Sequence, residues 1–147
     1  MGDVQVDATV QVSSVDTGNE KRDTHIQSPD FFEAAKNPTL KFKSTKVTSA
    51  GKGKFKVAGD LTMRGVTKPV TFDAEFLGSS AISVRGQSRG SKAGFAASVV
   101  VNRKDFGINW NQALDNGGYV LDENVTIVLN VEADLAEPVR AEATKSQ

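Results

Sequence analysis

Apolar and polar residues alternate with period two along most of the chain. Between Val4 and Val12 every second residue is valine or alanine, and Gln, Asp and Thr fill the positions between them. This alternation predicts a β-strand with one buried face. The same pattern returns in five later segments, and the six predicted strands are VQVDATVQV, TLKFKS, GKFKVAGDLTM, VTFDAEF, GFAASVVV and NVTIVLNVEA.

The predicted strands are joined by short segments rich in glycine, serine and asparagine, which favour turns. Sequential strands with one apolar face predict an antiparallel meander, and closure into a barrel removes its exposed edges. We therefore expect an all-β antiparallel barrel over residues 1–134 and a flexible tail over 135–147. Such a barrel holds an apolar ligand or is filled by its own side chains, and composition leaves both outcomes open.

One segment, SPDFFEAAKN, has the pattern of a short helix. Ser28 is suited to the N-cap and Pro29 to the first helical position. Asp30 and Glu33 then fall in the first turn, where acidic side chains interact favourably with the helix dipole. We predict one short helix beginning at Ser28.

Composition and charge exclude several classes of protein. Eighteen basic and eighteen acidic residues give zero net charge, so no strong field toward nucleic acid or anionic lipid is expected. The chain has no cysteine and one histidine, which excludes a disulfide framework and a zinc site with sulfur ligands. It shows neither an apolar run of about 18 residues nor a signal-peptide pattern at its start, so no membrane span is expected.

Two groups of residues suggest catalysis only superficially. The segment GQSRG over 86–90 matches G-x-S-x-G, but a hydrolase elbow needs a following helix and a later histidine. Here a strand pattern follows Ser88, and the sole histidine, His25, precedes it. His25 lies among hydroxyl and carboxyl side chains, yet no second histidine or cysteine completes a triad or a metal shell. We assign no catalytic residue and no metal ligand.

Six lysines between residues 41 and 56 form a locally basic pair of strands. A nucleic-acid-binding barrel also needs aromatic side chains beside the lysines for base stacking. Phe42 and Phe55 alternate with the lysines and so point to the opposite face. We expect no nucleic-acid partner.

Four stretches in order resemble the YceI-like family of bacterial, lipocalin-like β-barrels that carry polyisoprenoid chains. They are SSVDTGNEKRDTHIQSPDFF, NPTLKFKST, GDLTMRGVTKPVTFD, and NRKDFGINW followed by DENVTIVLNVEA. The resemblance runs from about Val4 to Ala133. It implies a non-catalytic protein, exported to the periplasm or secreted, that binds or carries an isoprenoid lipid of the quinone or polyprenyl phosphate type and needs no other cofactor.

The resemblance, combined with the strand alternation, gives a set of expected ligand-binding residues. The expected tunnel lining is Phe42, Leu61, Phe72, Phe76, Phe95, Val99 and Leu129. The residues expected near the tunnel ends are Phe31, Phe32, Phe106 and Trp110. Two other interpretations stay open: a stress-related structural or interaction β-domain without lipid, and a small hydrolase that uses His25.

The chain departs from the family pattern at its start, because family members begin with about a hairpin of additional strands. Without those strands the barrel has two open edges, which expose ladder groups. We expect a homodimer through open sheet edges or strand exchange, while a truncated chain with a reorganised sheet stays open as an alternative.

The segment from Asp16 to Phe32 is expected to connect a barrel strand to the helix that covers the barrel. In this interpretation Arg22 and Asp23 are capping or ion-paired residues. Arg103 and Asp105 of the NRKDF motif are their expected partners across space. Pro69 lies inside a strand pattern and predicts an edge or a bulge there, because proline cannot donate to the ladder.

Overall fold

A computed structural model describes residues 4–135 as one curled antiparallel sheet with a single α-helix. The elements are β1 (Asp7–Gln11), α1 (Glu20–Gln27), β2 (Thr39–Ser49), β3 (Lys54–Met63), β4 (Val66–Val84), β5 (Gln87–Asn102) and β6 (Asn124–Leu135). Short 3-10 turns cover Val12–Ser14 and Arg103–Phe106. The predicted tail lies outside the described residues except for Leu135, which ends β6.

The six strands are hydrogen-bonded in the order in which they occur in the chain, and every neighbouring pair is antiparallel. The sheet curls into a half-barrel whose edge strands are β1 and β6. The prediction of an antiparallel, lipocalin-like architecture with one short helix is confirmed. The barrel is incomplete, which was one of the expected variants.

β4 and β5 are much longer than the alternation predicted, because glycines that suggested turns lie inside these strands. The register shifts between Phe76 and Gly78 and again between Ala81 and Ser83, so bulges absorb the irregular positions. The actual turn is Arg85-Gly86, with φ of 53° and 77°, as in hairpin turns with two left-handed residues. Ser88 therefore lies in a strand after a hairpin turn, as expected for a chance match to the hydrolase motif.

The predicted position of the helix is wrong, because α1 lies immediately before the expected segment. Asn19 is the N-cap, and its side-chain oxygen accepts a hydrogen bond from the backbone N–H of Arg22 at 3.1 Å. Ser28 is instead the C-cap, with φ −75° and ψ 170°. A residue before proline is pushed out of the helical region, so Pro29 ends the helix rather than beginning it.

The core fills one end of the half-barrel, which we call the base. The buried cluster that defines it is Phe42, Val57, Leu61, Met63, Phe72, Val101 and Phe106. Gly59 makes this packing possible, because a Cβ there would overlap the ring of Phe42 and the carbonyl oxygen of Lys43. The rings of Phe42 and Phe72 meet edge to face with centroids 5.0 Å apart, a favourable aromatic geometry.

The sheet opens between β4 and β5 at the base. β4 pairs with β5 only from Asp73 onward, so residues 66–72 of β4 have no ladder partner on that side in the described sheet. A cleft of about 290 Å³ occupies the gap, and Phe106 lies in its wall. Pro69 is in this unpaired part of β4, which confirms the prediction of an edge there.

A candidate ligand-binding face on the inside of the half-barrel

The strand register identifies the side chains that point to the inside of the half-barrel. Ala8 lies opposite Phe42, Val57 opposite Phe72, and Leu129 opposite Ala97. Residues that are directly opposite in a ladder share a face, and alternate residues of each strand extend that face. The inner face defined in this way is almost entirely apolar from β1 to β6.

Many of the residues expected to line a tunnel lie in the packed base. Phe42, Leu61 and Phe72 are buried members of the core cluster, and Val99 and Leu129 pack against it. Phe106, expected near a tunnel end, is 2% exposed and is the largest fully buried side chain of the described residues. The base is thus filled by side chains of the protein itself.

Away from the base and along the two sheet edges, the inner face is apolar but exposed. Phe76 and Phe95, both expected in the lining, pack against each other with centroids 5.5 Å apart. We call the exposed part the uncovered inner face, and its residues are Val6, Val10, Phe76, Val125 and Val131. These inward-facing aliphatic and aromatic side chains are 36–47% exposed, so this surface is available to an apolar ligand or partner.

The sequence-based set omitted four members of this face, namely Val6, Val10, Val125 and Val131. The signal was present in the sequence, because all four lie at inward positions of predicted strands. What the alternation did not contain is their position on β1 and β6, the edge strands. An inward residue on an edge strand has a neighbouring strand on only one side.

Phe31, Phe32 and Trp110, the other residues expected near the tunnel ends, lie next to α1. Phe32 packs against the core cluster. His25 contacts Phe31 and Trp110 edge to face, with ring centroids 5.0 and 4.7 Å apart. Its Nε2 lies 2.8 Å from a carboxylate oxygen of Asp30. Aromatic packing and one carboxylate therefore fix the sole histidine in position.

Two arginines hold the loops around the base. Arg103 is 4% exposed and donates hydrogen bonds to the carbonyl oxygens of Asp122, Ile108 and Trp110 at 2.8, 2.9 and 2.7 Å. Arg64 donates to the carbonyl oxygens of Pro29 and Gly107 at 2.8 and 2.7 Å. Arg64 Nε and Arg103 Nη2 are buried without a protein partner among the described residues.

The expected pairing of Arg22 and Asp23 with Arg103 and Asp105 is wrong, because both side chains bind Thr17 instead. Asp23 accepts hydrogen bonds from the backbone N–H and the hydroxyl of Thr17. Arg22 donates to the hydroxyl and carbonyl oxygens of Thr17, each at 2.8 Å. Both side chains thus fold back onto the turn before α1. This turn is only five or six residues away in the chain, whereas Arg103 is about eighty residues away.

An open groove of about 600 Å³ runs along the distal parts of β4, β5 and β6. The groove lies on the outer side of the sheet, where Leu77 and Ile82 adjoin Lys92 and Glu132. Lys92 Nζ lies 2.6 Å from Asp134 and 3.3 Å from Glu132. The hydrogen bond with Asp134, assisted by the one with Glu132, raises the pKa of Lys92 above its ordinary value.

Neither a metal cluster nor a membrane-spanning helix is found in the part of the chain that the structure describes. Residues 4–135 bring together no group of three or more His, Asp or Glu side chains with the geometry of a metal site. No helix in that range is sufficiently long and apolar to cross a bilayer.

Comparisons with known proteins agree with the fold and with the motifs. The model of the YceI-like domain matches residues 1–133. A UPF0312 protein of Staphylococcus epidermidis is 41% identical over 125 residues, which cover 85% of this chain and 68% of that protein. A UPF0312 protein of Vibrio parahaemolyticus is 42% identical over 108 residues, covering 74% of this chain and 55% of that protein.

Solved structures show the same architecture. The crystal structure of the Campylobacter jejuni YceI protein superposes with a TM-score of 0.74 at 30% identity, over 91% of this chain and 74% of that one. Burkholderia cenocepacia BcnA, at 23% identity, shares the fold with a TM-score of 0.71 over 86% of this chain and 72% of its own. Since the family model spans nearly the whole described chain and a relative that the chain covers to 68% is 41% identical, this protein belongs to the YceI-like family.

Proposed function

We propose that the protein binds and carries an isoprenoid lipid without catalysis, with the lipid tail lying along the uncovered inner face. The observation that carries this proposal is that Phe76, Val125 and Val131 point inward yet remain 39%, 41% and 47% exposed. Phe76 and Val131 continue the apolar surface of the base outward, and Val125 borders the base opposite Val101. A long hydrocarbon tail would cover them without requiring any polar partner.

The energetics favour a long, apolar ligand over a small polar one. Each methylene removed from water contributes about 0.8 kcal/mol, so several isoprene units outweigh the cost of ordering a flexible tail. The inner face offers aromatic and branched aliphatic contacts from β1, β4, β5 and β6 rather than hydrogen-bonding groups. A quinone or a polyprenyl phosphate fits this chemistry, with its head group directed toward solvent.

The absence of catalysis belongs to the proposal and rests on His25. Its ring is packed between Phe31 and Trp110 and paired with Asp30, an arrangement that suits a structural role. We expect His25→Ala to leave lipid binding intact. Hydrolytic turnover in the protein that is lost in His25→Ala would overturn this part of the proposal.

Partner and location are proposals of the same kind. β1 and β6 are sheet edges in residues 4–135, and unpaired ladders favour association with another strand. We propose that two copies associate through these edges or exchange strands, which would also cover the inner face. Membership of the family supports a periplasmic or secreted location and a role in transport.

Native mass spectrometry of the purified protein, followed by organic extraction, tests the binding proposal. We expect a non-covalent passenger with a prenyl mass, and the same spectrum reports the number of subunits. A protein that carries no passenger after incubation with quinones and prenyl phosphates would contradict lipid binding and favour an interaction domain.

A matched pair of variants on β6 assigns the binding face. Val131 points inward opposite Phe95, whereas Val128 lies opposite Ser98 on the outer face, where it is 61% exposed. We expect Val131→Asn to lose most of the extractable lipid and Val128→Asn to retain it. Equal loss in both variants would mean that the lipid does not occupy the inner face.

A further inference from the structure

The β4–β5 hairpin projects beyond β3, and its tip over residues 82–90 also projects beyond the pairing of β5 with β6, which reaches Ser91. β3 ends its pairing with β4 at Glu75, and the last bond on that side joins the Phe76 N–H to the Gly53 carbonyl oxygen at 2.7 Å. β4 continues to Val84 before the turn, and eight strand residues span about 26 Å. We call residues 77–91 the projecting hairpin.

Within this hairpin the apolar side chains lie on the outer face of the sheet instead of the inner face. On the inner side, Ser79 lies opposite Ala93, Ala81 opposite Ser91 and Ser83 opposite Ser88, so this surface carries small and hydroxylic side chains. Alternation places Ile82 and Val84 on the outer side. A Cβ on Gly94, opposite Gly78 on that same side, would lie 3.6 Å from Leu77. The bulge at Leu77 therefore moves the apolar residues from the inside to the outside.

These outer residues are exposed beside two arginines. Leu77 is 61% exposed and Val84 is 49% exposed. Arg85 and Arg89 are exposed and line a hollow at the turn together with Val84 and Gln87. In the ion pairs of the described residues, neither arginine has an acidic partner.

The local charge differs from that of the whole chain. The net charge of the chain is zero, but residues 76–104 contain no aspartate or glutamate. Two acidic side chains of β6, Glu132 and Asp134, pair with Lys92, and Glu132 lies opposite Gly94, next to Leu77. Lys92 lies opposite Ser80, five strand residues or about 16 Å from the turn. That distance exceeds the Debye length of about 10 Å at 0.1 M salt.

We propose that the tip of the projecting hairpin docks on an anionic lipid bilayer, with Arg85 and Arg89 at the phosphate head groups and Val84 and Ile82 against the acyl boundary. Arginine binds phosphate through a planar fork of donors. Exposed aliphatic residues beside basic ones characterise surfaces that lie in the membrane interface. The purpose of docking rests on the proposed function, since a carrier of membrane lipid must meet a bilayer.

Vesicle sedimentation tests the docking. The full chain is mixed with phosphatidylcholine vesicles with or without a quarter of phosphatidylglycerol, and no isoprenoid is added. We expect binding to the anionic vesicles, weakened by salt because screening shortens the range of the charges. Arg85→Asn combined with Arg89→Gln should weaken binding about 30-fold. Asparagine is chosen at residue 85 because its φ is 53°, and asparagine tolerates that conformation well.

A matched variant controls for the change in net charge. Lys41→Gln combined with Lys43→Gln removes the same two charges from exposed positions of β2, and we expect less than a twofold effect. Equal weakening by both double variants would overturn the proposal, because it would show a response to net charge alone. Displacement by inorganic phosphate at constant ionic strength would also overturn it, in favour of a site for free phosphate.

The apolar residues give a second, independent measurement. Ile82→Ser combined with Val84→Ser should weaken vesicle binding at both low and high salt, while the sedimentation coefficient without vesicles stays unchanged. A change in subunit number with no effect on vesicles would mean that a second copy covers this surface, and it would overturn the proposal.

Different results would contradict the docking proposal and the carrier proposal. Extracted prenyl lipid without vesicle binding would leave the carrier intact and contradict docking. Vesicle binding that depends on the arginines, without any extracted prenyl lipid, would support docking and contradict the carrier.

Discussion

The base and the uncovered inner face are built from the same strands and carry the same kinds of side chain, yet they differ in what covers them. Phe72 and Phe76 lie four residues apart on the inner side of β4, but Phe72 is 4% exposed and Phe76 is 39% exposed. At the base, the turn over Arg103–Phe106 inserts Phe106, and two arginines tie the surrounding loops together. One apolar face thus stabilises the fold at its covered end, and the proposed function assigns ligand binding to its open end.

The largest expected effect on the free energy of unfolding comes from a substitution in the base. Phe106→Ala removes the most buried large side chain and leaves a cavity that rigid neighbours cannot fill, so we expect a loss of about 3–5 kcal/mol in the free energy of unfolding. Urea denaturation measures it. Phe76→Ala in the lipid-free protein is the control, with an expected loss below about 1 kcal/mol. Similar losses in the two variants would show that the two regions do not differ in packing.

The arginine network should give the next largest effect. Arg103→Gln cannot serve the three carbonyl oxygens that Arg103 now satisfies, and unsatisfied buried groups cost about 1–3 kcal/mol each. We expect a loss of about 2–3 kcal/mol and faster hydrogen exchange near Ile108. Lys104→Gln removes a neighbouring exposed cation and should cost less than about 1 kcal/mol. A stable Arg103→Gln protein with unchanged exchange would refute the proposed role of Arg103.

At the open end, the expected effect is on the ligand rather than on folding. If the tail covers Phe76, truncation to alanine removes about 1.5 kcal/mol of apolar contact and lowers lipid affinity about tenfold. Titration of delipidated protein with a prenyl phosphate measures this change. Val100→Ala, on the outer face and 61% exposed, should leave the affinity unchanged. An unaltered affinity in Phe76→Ala would place the tail elsewhere.

The smallest effect concerns an exposed ion pair beside the base. The hydrogen bond from Lys104, whose Nζ lies 2.6 Å from a carboxylate oxygen of Glu123, holds the pKa of Glu123 below its ordinary value. The folded state therefore binds this proton less readily than the unfolded chain, so the contribution is present above about pH 4.5 and is lost as the pH falls. We expect Glu123→Gln to lower the midpoint of thermal unfolding slightly at pH 7 and to match the parent protein in acid. A difference that persists in acid would contradict this cause.

Several features of the fold were predictable because they depend on neighbours in the chain. Period-two alternation identified strands and assigned Phe42, Leu61 and Phe72 to one face, and the register confirms that they share it. Pro69 indicated an edge, since proline lacks the N–H that a central strand needs. The helix was misplaced because a proline suits both the start of one helix and the end of another, and only the cap at Asn19 resolves the choice.

The sequence by itself determined the class of fold, the family and the inward or outward direction of most strand residues, since alternation and local motifs fix these properties. The tertiary structure alone decided which inward residues are buried, because burial depends on what lies across space. Val10 and Val131 have the same pattern as buried valines, yet they lie on edge strands and remain exposed. The bulge at Leu77 likewise reverses the face of the following apolar residues, because one extra residue shifts the period of the strand.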